Sequence, residues 1–188
     1  MNSIVHRITR NAILLALLCI VGMFSIPLGN YLKVSLQLWM VFLICFLAEG
    51  FLDCIFITGA YLLIGLFLPV YAGFAVGVTP TFGFVISFVV ASPLIHLLNR
   101  VLRLPRISSM AIASSVGTII VYAIGTAFMC WYLNWDLGTA LVVGCLPYLP
   151  FDAMKIVLAI MVITALPLSI QPQWARKKVV ISRRSAQQ

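Results

Sequence analysis

The sequence predicts an all-α integral membrane protein, built as a single bundle of six transmembrane helices. Of its 188 residues, 63% are hydrophobic and only 9% are charged, whereas soluble domains carry roughly 45–50% apolar and about 25% charged residues. The apolar residues form continuous runs, without the alternation expected of barrel strands. The basic residues cluster between or beyond these runs. A lipid bilayer is therefore the predicted solvent for most of the surface.

Six apolar runs give the predicted spans, which cover residues 12–26, 34–48, 51–68, 81–98, 107–131 and 151–170. A crossing helix needs about 20 apolar residues, so the first two spans are expected to extend into their flanks or to cross where the protein is thin. Span three stops at Pro69, and a loop rich in glycine and proline follows over residues 70–80. Residues 137–150 are too short to cross and are predicted to form a packed loop or short helix.

The net charge of +8 predicts the orientation of the bundle. Ten of the twelve basic residues fall into three clusters, namely Arg7 and Arg10; Arg100, Arg103 and Arg106; and Arg176, Lys177, Lys178, Arg183 and Arg184. With six crossings all three lie on one side, which the positive-inside rule makes the cytoplasm. The pattern predicts a multi-pass protein of the cell membrane with both termini cytoplasmic. Residues 1–174 form the transmembrane domain, and 175–188 form a flexible basic tail near anionic lipid headgroups. Because the basic residues lie between or beyond apolar spans rather than along a soluble surface, their pattern argues against a nucleic-acid partner.

Two charges interrupt the sixth apolar run. Asp152 and Lys155 are three residues apart, so they share one helix face. Ionisable residues within a span are costly and usually face a functional cavity. Alternatively, Asp152 caps the helix that starts near Pro150, and Lys155 reaches out to the headgroups. The pattern alone leaves both interpretations open.

Glu49 and Asp53 are the acidic residues nearest the cytoplasmic ends of spans two and three. They are interpreted either as exposed turn charges or as contacts with a cytoplasmic or membrane partner.

Motifs for catalysis or nucleotide binding are missing from the sequence. It contains no Gly-x4-Gly-Lys-Ser/Thr loop, HExxH, GxSxG or CxxC. The five cysteines lie in apolar runs and are predicted to be small buried residues. We therefore expect a binding or carrier protein, with no enzyme activity, no metal and no cofactor of its own.

Four segments, in order, resemble the BioY family of biotin transporters. IPLG at 26–29 with VSLQ at 34–37 resembles the family's first outer loop. GLFLPVYAG at 65–73 is similar to its GxxGLPVFAG segment, and TPTFGF at 79–84 to its GPTGGY turn. LPFDAMK at 149–155 resembles the G-D-x-x-K entry into its helix six. The resemblance implies a six-helix substrate-binding (S) component of an energy-coupling factor (ECF) transporter.

The resemblance also implies a biotin site on the outer side. It implies that Asp152 accepts from the ureido N–H groups of biotin, and that Lys155 either donates to the ureido carbonyl or pairs with the carboxylate. Further substrate-binding candidates are Gly73, Tyr71, Thr79, Thr81, Gln37 and Ser35. Thr79 and Phe82 stand where the family usually has glycine, which keeps another carboxylated vitamin or precursor, such as lipoate or pimelate, open as the ligand. A membrane scaffold without a ligand is a further alternative.

The resemblance implies partner subunits as well. S components carry an Ala-xxx-Ala pattern on helix one that packs against the transmembrane coupling subunit, and Ala12 and Ala16 have that spacing. ATP would act only through two separate ATPase subunits.

Overall fold

The computed structural model describes residues 3–27, 33–167 and 169–176. Part of the IPLG segment of the first outer loop, residues 28 and 29, and the tail from residue 177 lie outside these ranges. The described parts form seven α-helices and one antiparallel hairpin, in the order α1 (Ser3–Met23), β1 (Ser25–Pro27), β2 (Lys33–Ser35), α2 (Gln37–Leu47), α3 (Phe51–Phe67), α4 (Phe82–Val101), α5 (Arg106–Leu133), α6 (Leu137–Gly144) and α7 (Leu149–Ala165). A 3-10 turn, Leu146–Tyr148, joins α6 to α7.

The predicted boundaries hold to within three residues for α3, α4 and α5. The first span extends into its amino-terminal flank, which is one of the two expected alternatives: α1 begins at Ser3 rather than residue 12, and Arg7 and Arg10 lie on the helix and bond with acidic partners. The prediction for α7 is wrong at its end, because the helix stops at Ala165, two residues before Pro167.

The predicted all-α bundle of six transmembrane helices is confirmed in part, because the helical fold is present and the count of six crossings is not confirmed. Among the described residues, four segments are long and apolar enough to cross a membrane: Ile4–Met23, Phe82–Val101, Arg106–Leu133, and Leu137–Ala165, which joins α6 and α7. Helices α2 and α3 have 11 and 17 residues. Strand β2 takes up residues predicted for the start of span two, which leaves α2 about 17 Å long at 1.5 Å per residue.

Helix α2 is the centre of the bundle. It packs against α1, α3, α4 and α7, and Val41, Phe42 and Ile44 are fully buried. A helix that is apolar on all sides is buried either in protein or in lipid, and nearly every side chain of α2 is buried by the rest of the chain. Its apolar sequence therefore reflects burial in protein rather than contact with lipid.

Helices α4 and α5 interlock along their length. A β-carbon added at Gly83 would overlap the Phe128 ring, and one at Gly125 would overlap the Phe84 ring. Small residues let two helices approach closely in a membrane. The first half of α4 and the last half of α5 are fixed to each other in this way.

Residues of all three basic clusters meet at one end of the bundle, called here the basic end. Trp174 donates from its indole nitrogen to the Ala48 carbonyl, 2.9 Å away, at the end of α2. The Arg106 guanidinium donates to Gln171 Oε1 at 2.5 Å, and Gln171 donates to the Leu166 carbonyl at 2.7 Å. The segment after α7 thus satisfies carbonyls that the helix end leaves free.

The opposite end, called here the hairpin end, contains β1, β2, residues 70–80, α6 and the start of α7. The Gly73 amide donates to the Met23 carbonyl at 3.1 Å, which ties the 70–80 loop to the end of α1. Asp136 caps α6 by accepting from the Thr139 amide at 2.9 Å and the Thr139 hydroxyl at 2.6 Å. These hydrogen bonds hold the pKa of Asp136 below its ordinary value.

Candidate functional site

Asp152 and Lys155 form a buried ion pair in the first turns of α7. The Lys155 Nζ atom lies 2.6 Å from Asp152 Oδ1, and each residue is only 5% exposed. Lys155 therefore does not extend to the headgroups. A buried ion pair is stabilising only if the remaining polar atoms are also hydrogen-bonded.

Tyr122 of α5 supplies that further hydrogen bond. Its hydroxyl donates to Asp152 Oδ2, so each carboxylate oxygen has its own donor. The Tyr122 ring packs edge-to-face against Phe84 of α4, with centroids 6.5 Å apart and an interplanar angle of 89°. The sequence analysis missed Tyr122. The signal available was a lone phenol within an apolar span, since a buried tyrosine hydroxyl usually has a partner.

The start of α7 is positioned by a second contact to α5. Thr126, one turn after Tyr122, lies with its hydroxyl 2.8 Å from the Cys145 sulfur at the end of α6. Cys145 then leads into the 3-10 turn before α7. Two successive turns of α5 therefore hold the α6–α7 connection and the carboxylate of Asp152.

Tyr71 and Gly73 lie in the loop at the hairpin end. The Tyr71 hydroxyl donates to the Leu62 carbonyl at 2.6 Å, and its ring fills the space beside Gly65, where a β-carbon would overlap it. Gly73 is exposed and has φ +71°, a conformation that glycine adopts without strain. Tyr71 thus anchors the 70–80 loop to α3, and Gly73 forms the exposed turn of that loop.

Ser35 and Gln37 lie where β2 leads into α2. The Ser35 hydroxyl donates to Gln37 Oε1 at 3.3 Å, and Gln37 Nε2 donates to the Tyr61 hydroxyl at 2.6 Å. Tyr61 in turn donates to the Val70 carbonyl at 2.8 Å. This chain of hydrogen bonds joins the hairpin, α3 and the 70–80 loop.

Thr79 and Thr81 close the same loop. Their hydroxyl oxygens lie 3.1 Å apart, and the pair is on the outside of the loop, next to the start of α4. A row of aromatic rings connects this region to α5: Tyr61 to Tyr71 at 5.5 Å, Tyr71 to Phe82 at 6.1 Å and Phe82 to Phe128 at 6.0 Å.

The predicted substrate-binding residues thus fall into two groups. Asp152 and Lys155 meet Tyr122 between α5 and α7. The other six form hydrogen bonds with one another, within the 70–80 loop, and with α1, α3 and the start of α4. They are Ser35, Gln37, Tyr71, Gly73, Thr79 and Thr81. Both groups lie at the hairpin end.

Ala12 and Ala16 are both exposed on α1. Ala12 borders a groove of about 540 Å³ between α1 and α3. Apolar side chains form most of its walls, and Arg7, Asn11 and Asp53 line its polar part. A second helix can approach α1 closely at two alanines one turn apart.

Glu49 and Asp53 are paired with arginines of α1. Asp53, 3% exposed, accepts from Arg7 Nε at 2.8 Å and from Asn11 Nδ2 at 2.8 Å. Glu49 accepts from Arg10 at 2.8 Å. Asp53 is therefore not an exposed turn charge, and both acids fasten α1 to the α2–α3 turn.

The chain is similar in sequence to a known family of membrane proteins. A sequence profile of the BioY family matches residues 1–171. The chain is 30% identical over 164 residues to the biotin transporter BioY of Thermotoga maritima, covering 84% of this chain and 93% of that protein. It is 26% identical over 162 residues to the biotin transporter BioY2 of Lactococcus lactis, covering 84% of this chain and 87% of that one.

The fold is also similar to a solved structure. The crystal structure of the S-component for biotin from an ECF-type ABC transporter aligns with a TM-score of 0.78 at 24% identity. The alignment covers 86% of this chain and 92% of the other. The likeness extends over most of both chains and shows a shared fold.

Proposed function

Since the chain belongs to the BioY family, we propose that it is the biotin-binding S component of an ECF transporter, which takes up biotin across the cell membrane. It is a transport protein rather than an enzyme. The observation that carries the proposal is the buried Asp152–Lys155 pair at the hairpin end, opposite the basic end. A costly pair of charges in a membrane protein is expected to serve a ligand.

The chemistry of biotin suits this pair. Biotin has a ureido ring with two N–H donors and one carbonyl, and a carboxylate on an apolar chain. Asp152 retains lone pairs that accept from an N–H group, and Lys155 retains N–H donors for a carbonyl. Charge-assisted hydrogen bonds of this kind are the strong ones in a site of low dielectric constant.

The six candidates of the second group are proposed to form the outer wall of the site. The exposed turn at Gly73 and the hydroxyls of Thr79 and Thr81 supply polar groups at the mouth. Tyr71, Gln37 and Ser35 hold the loop through the contacts described above.

We further propose six membrane crossings, by α1 to α5 and α7, with the basic end in the cytoplasm. The arginines of three clusters meeting at one end support this, because the positive-inside rule then applies to all of them together. Both termini are cytoplasmic in this arrangement. The two shorter helices, α2 and α3, cross the membrane in this arrangement because neighbouring helices and the hairpin cover their ends.

For its partners, we propose that a helix of the coupling subunit packs on Ala12 and Ala16, with the two ATPase subunits binding to that subunit. The exposed alanines and the adjoining groove support this surface. Ala12→Leu with Ala16→Leu should abolish co-purification of the coupling subunit and leave biotin binding intact. Retained co-purification would contradict the assignment.

The test of the ligand is binding of labelled biotin to the purified chain. We expect tight binding, and competition by unlabelled biotin but not by lipoate or pimelate. Asp152→Asn and Lys155→Ala should each weaken binding by about 2–5 kcal/mol, because each strands a buried partner. Displacement of biotin by lipoate instead would assign the other ligand, and a chain that binds none of the three would support a scaffold.

A further inference from the structure

We propose that Tyr122 is a positioning residue of the ligand site that sets its preference for an uncharged polar group. The inference rests on the proposed function and adds a residue that sequence reasoning did not identify. It starts from the hydrogen bond between the Tyr122 hydroxyl and Asp152 Oδ2.

Tyr122 and Lys155 each donate a hydrogen bond to a different oxygen of the Asp152 carboxylate. Lys155 donates to Oδ1 and Tyr122 to Oδ2. An ionised carboxylate offers about four lone-pair sites, so each oxygen keeps one for a ligand. The two donors therefore fix the direction from which a ligand N–H group can bind.

The Tyr122 ring is itself held in place. Phe84 of α4 packs edge-to-face against it, and Phe84 occupies the space beside Gly125, where no side chain intervenes. This contact restricts the side-chain torsion about Cα–Cβ that would move the hydroxyl away from Oδ2. The interlock of α4 with α5 thus determines the geometry of a carboxylate on α7.

The charge balance of this cluster favours a neutral ligand group. Lys155 offsets the charge of Asp152, and the Tyr122 hydroxyl adds a neutral donor that further stabilises the carboxylate. Without that donor, one buried oxygen would lack a partner and attract a cationic donor more strongly. Tyr122 therefore discriminates against a cationic group at the position of the ureido ring.

The test compares biotin with 2-iminobiotin, in which a guanidinium replaces the ureido group and adds a positive charge. In Tyr122→Phe we expect biotin to bind about tenfold more weakly. The ratio of affinities should shift at least about threefold toward 2-iminobiotin. Tyr132→Phe is the matched control, since it removes a more exposed phenol of the same helix, bonded at 3.4 Å to the Val78 carbonyl. It should leave both affinities unchanged.

Equal weakening of both ligands in Tyr122→Phe, or no change, would overturn the inference and leave the proposed function intact. Phe84→Leu keeps the phenol but removes its packing partner, and should shift the ratio in the same direction. If Tyr122→Phe does not elute as a folded protein, an unchanged ratio in Phe84→Leu overturns the inference. A wild-type chain that does not bind biotin would refute the proposed function, and this inference falls with it.

Discussion

Lys155 lies one turn beyond Asp152 on the same face of α7, and its Nζ atom is 2.6 Å from Asp152 Oδ1. Because both are buried, each charge depends on the other for compensation. Removing one partner from such a pair is expected to cost more than removing both.

Lys155→Met should therefore lower the free energy of unfolding by about 3–5 kcal/mol, the usual cost of leaving a buried charge unpaired. The double variant with Asp152→Asn should recover part of that loss. Thermal unfolding in detergent without ligand measures both. A double variant less stable than the single one would contradict the pairing.

Asp53 and Glu49 should differ in their contribution to stability. Asp53 is buried and accepts from Arg7, Asn11 and the Gly50 amide. Because the stranded Arg7 side chain is about half exposed, Asp53→Ala should destabilise by about 1–3 kcal/mol. The Glu49–Arg10 pair is partly exposed, and Glu49→Gln should cost at most about 1 kcal/mol. The same unfolding measurement ranks the two, and equal losses would contradict the burial argument.

Two glycines of α3 provide a matched pair. Gly65→Ala would place a β-carbon in the Tyr71 ring, whereas a β-carbon at Gly59 has nothing within 4 Å. We expect Gly65→Ala to destabilise by about 1–3 kcal/mol through overpacking. Gly59→Ala should be neutral or stabilise by up to about 1 kcal/mol through helix propensity. Rescue of Gly65→Ala by Tyr71→Leu would locate the clash at Tyr71.

The segment after α7 should stabilise the basic end through Gln171. Its amide donates to the Ile163 and Leu166 carbonyls and its oxygen accepts from Arg106. Gln171→Ala removes the donor to the Leu166 carbonyl and the acceptor of Arg106, while the Ile163 carbonyl keeps its bond from Arg106 at 3.3 Å; the expected cost is about 1–3 kcal/mol. Hydrogen exchange should then accelerate in the last turn of α7 and the first turn of α5. Unchanged protection in both turns would show that the segment does not support them.

The acid at the start of α6 gives a prediction for pH. Because hydrogen bonds from Thr139 lower the pKa of Asp136, its contribution to stability is fully present above the ordinary pKa of 3.8. It should be lost as pH falls through the lower pKa of the folded state. As pH falls below 3.8, hydrogen exchange of the α6 amides should become faster in the wild type. It should not change in this way in Asp136→Ala, because that variant lacks the stabilising carboxylate at every pH.

Elements bounded by local signals were predictable from the sequence. Pro69 ends α3, and the arginines at 100–106 separate α4 from α5. Asp152 and Lys155 stood out because charges are rare in apolar runs, and their spacing of three residues put them on one face.

Features that depend on distant partners were not predictable in this way. Arg7 lies on α1, where it pairs with Asp53, which is 46 residues away in the sequence. Tyr122 is 30 residues from Asp152, and nothing next to it in the sequence marks its partner. The hairpin was missed because two strands of three residues leave almost no alternation to detect.

The bond between Trp174 and Ala48 joins residues 126 positions apart. A chain made from its amino terminus exposes Ala48 long before Trp174 exists. The carboxyl end of α2 therefore lacks this hydrogen bond until the segment after α7 has been synthesised. The closing of this face thus follows the synthesis of all the helices from α2 to α7.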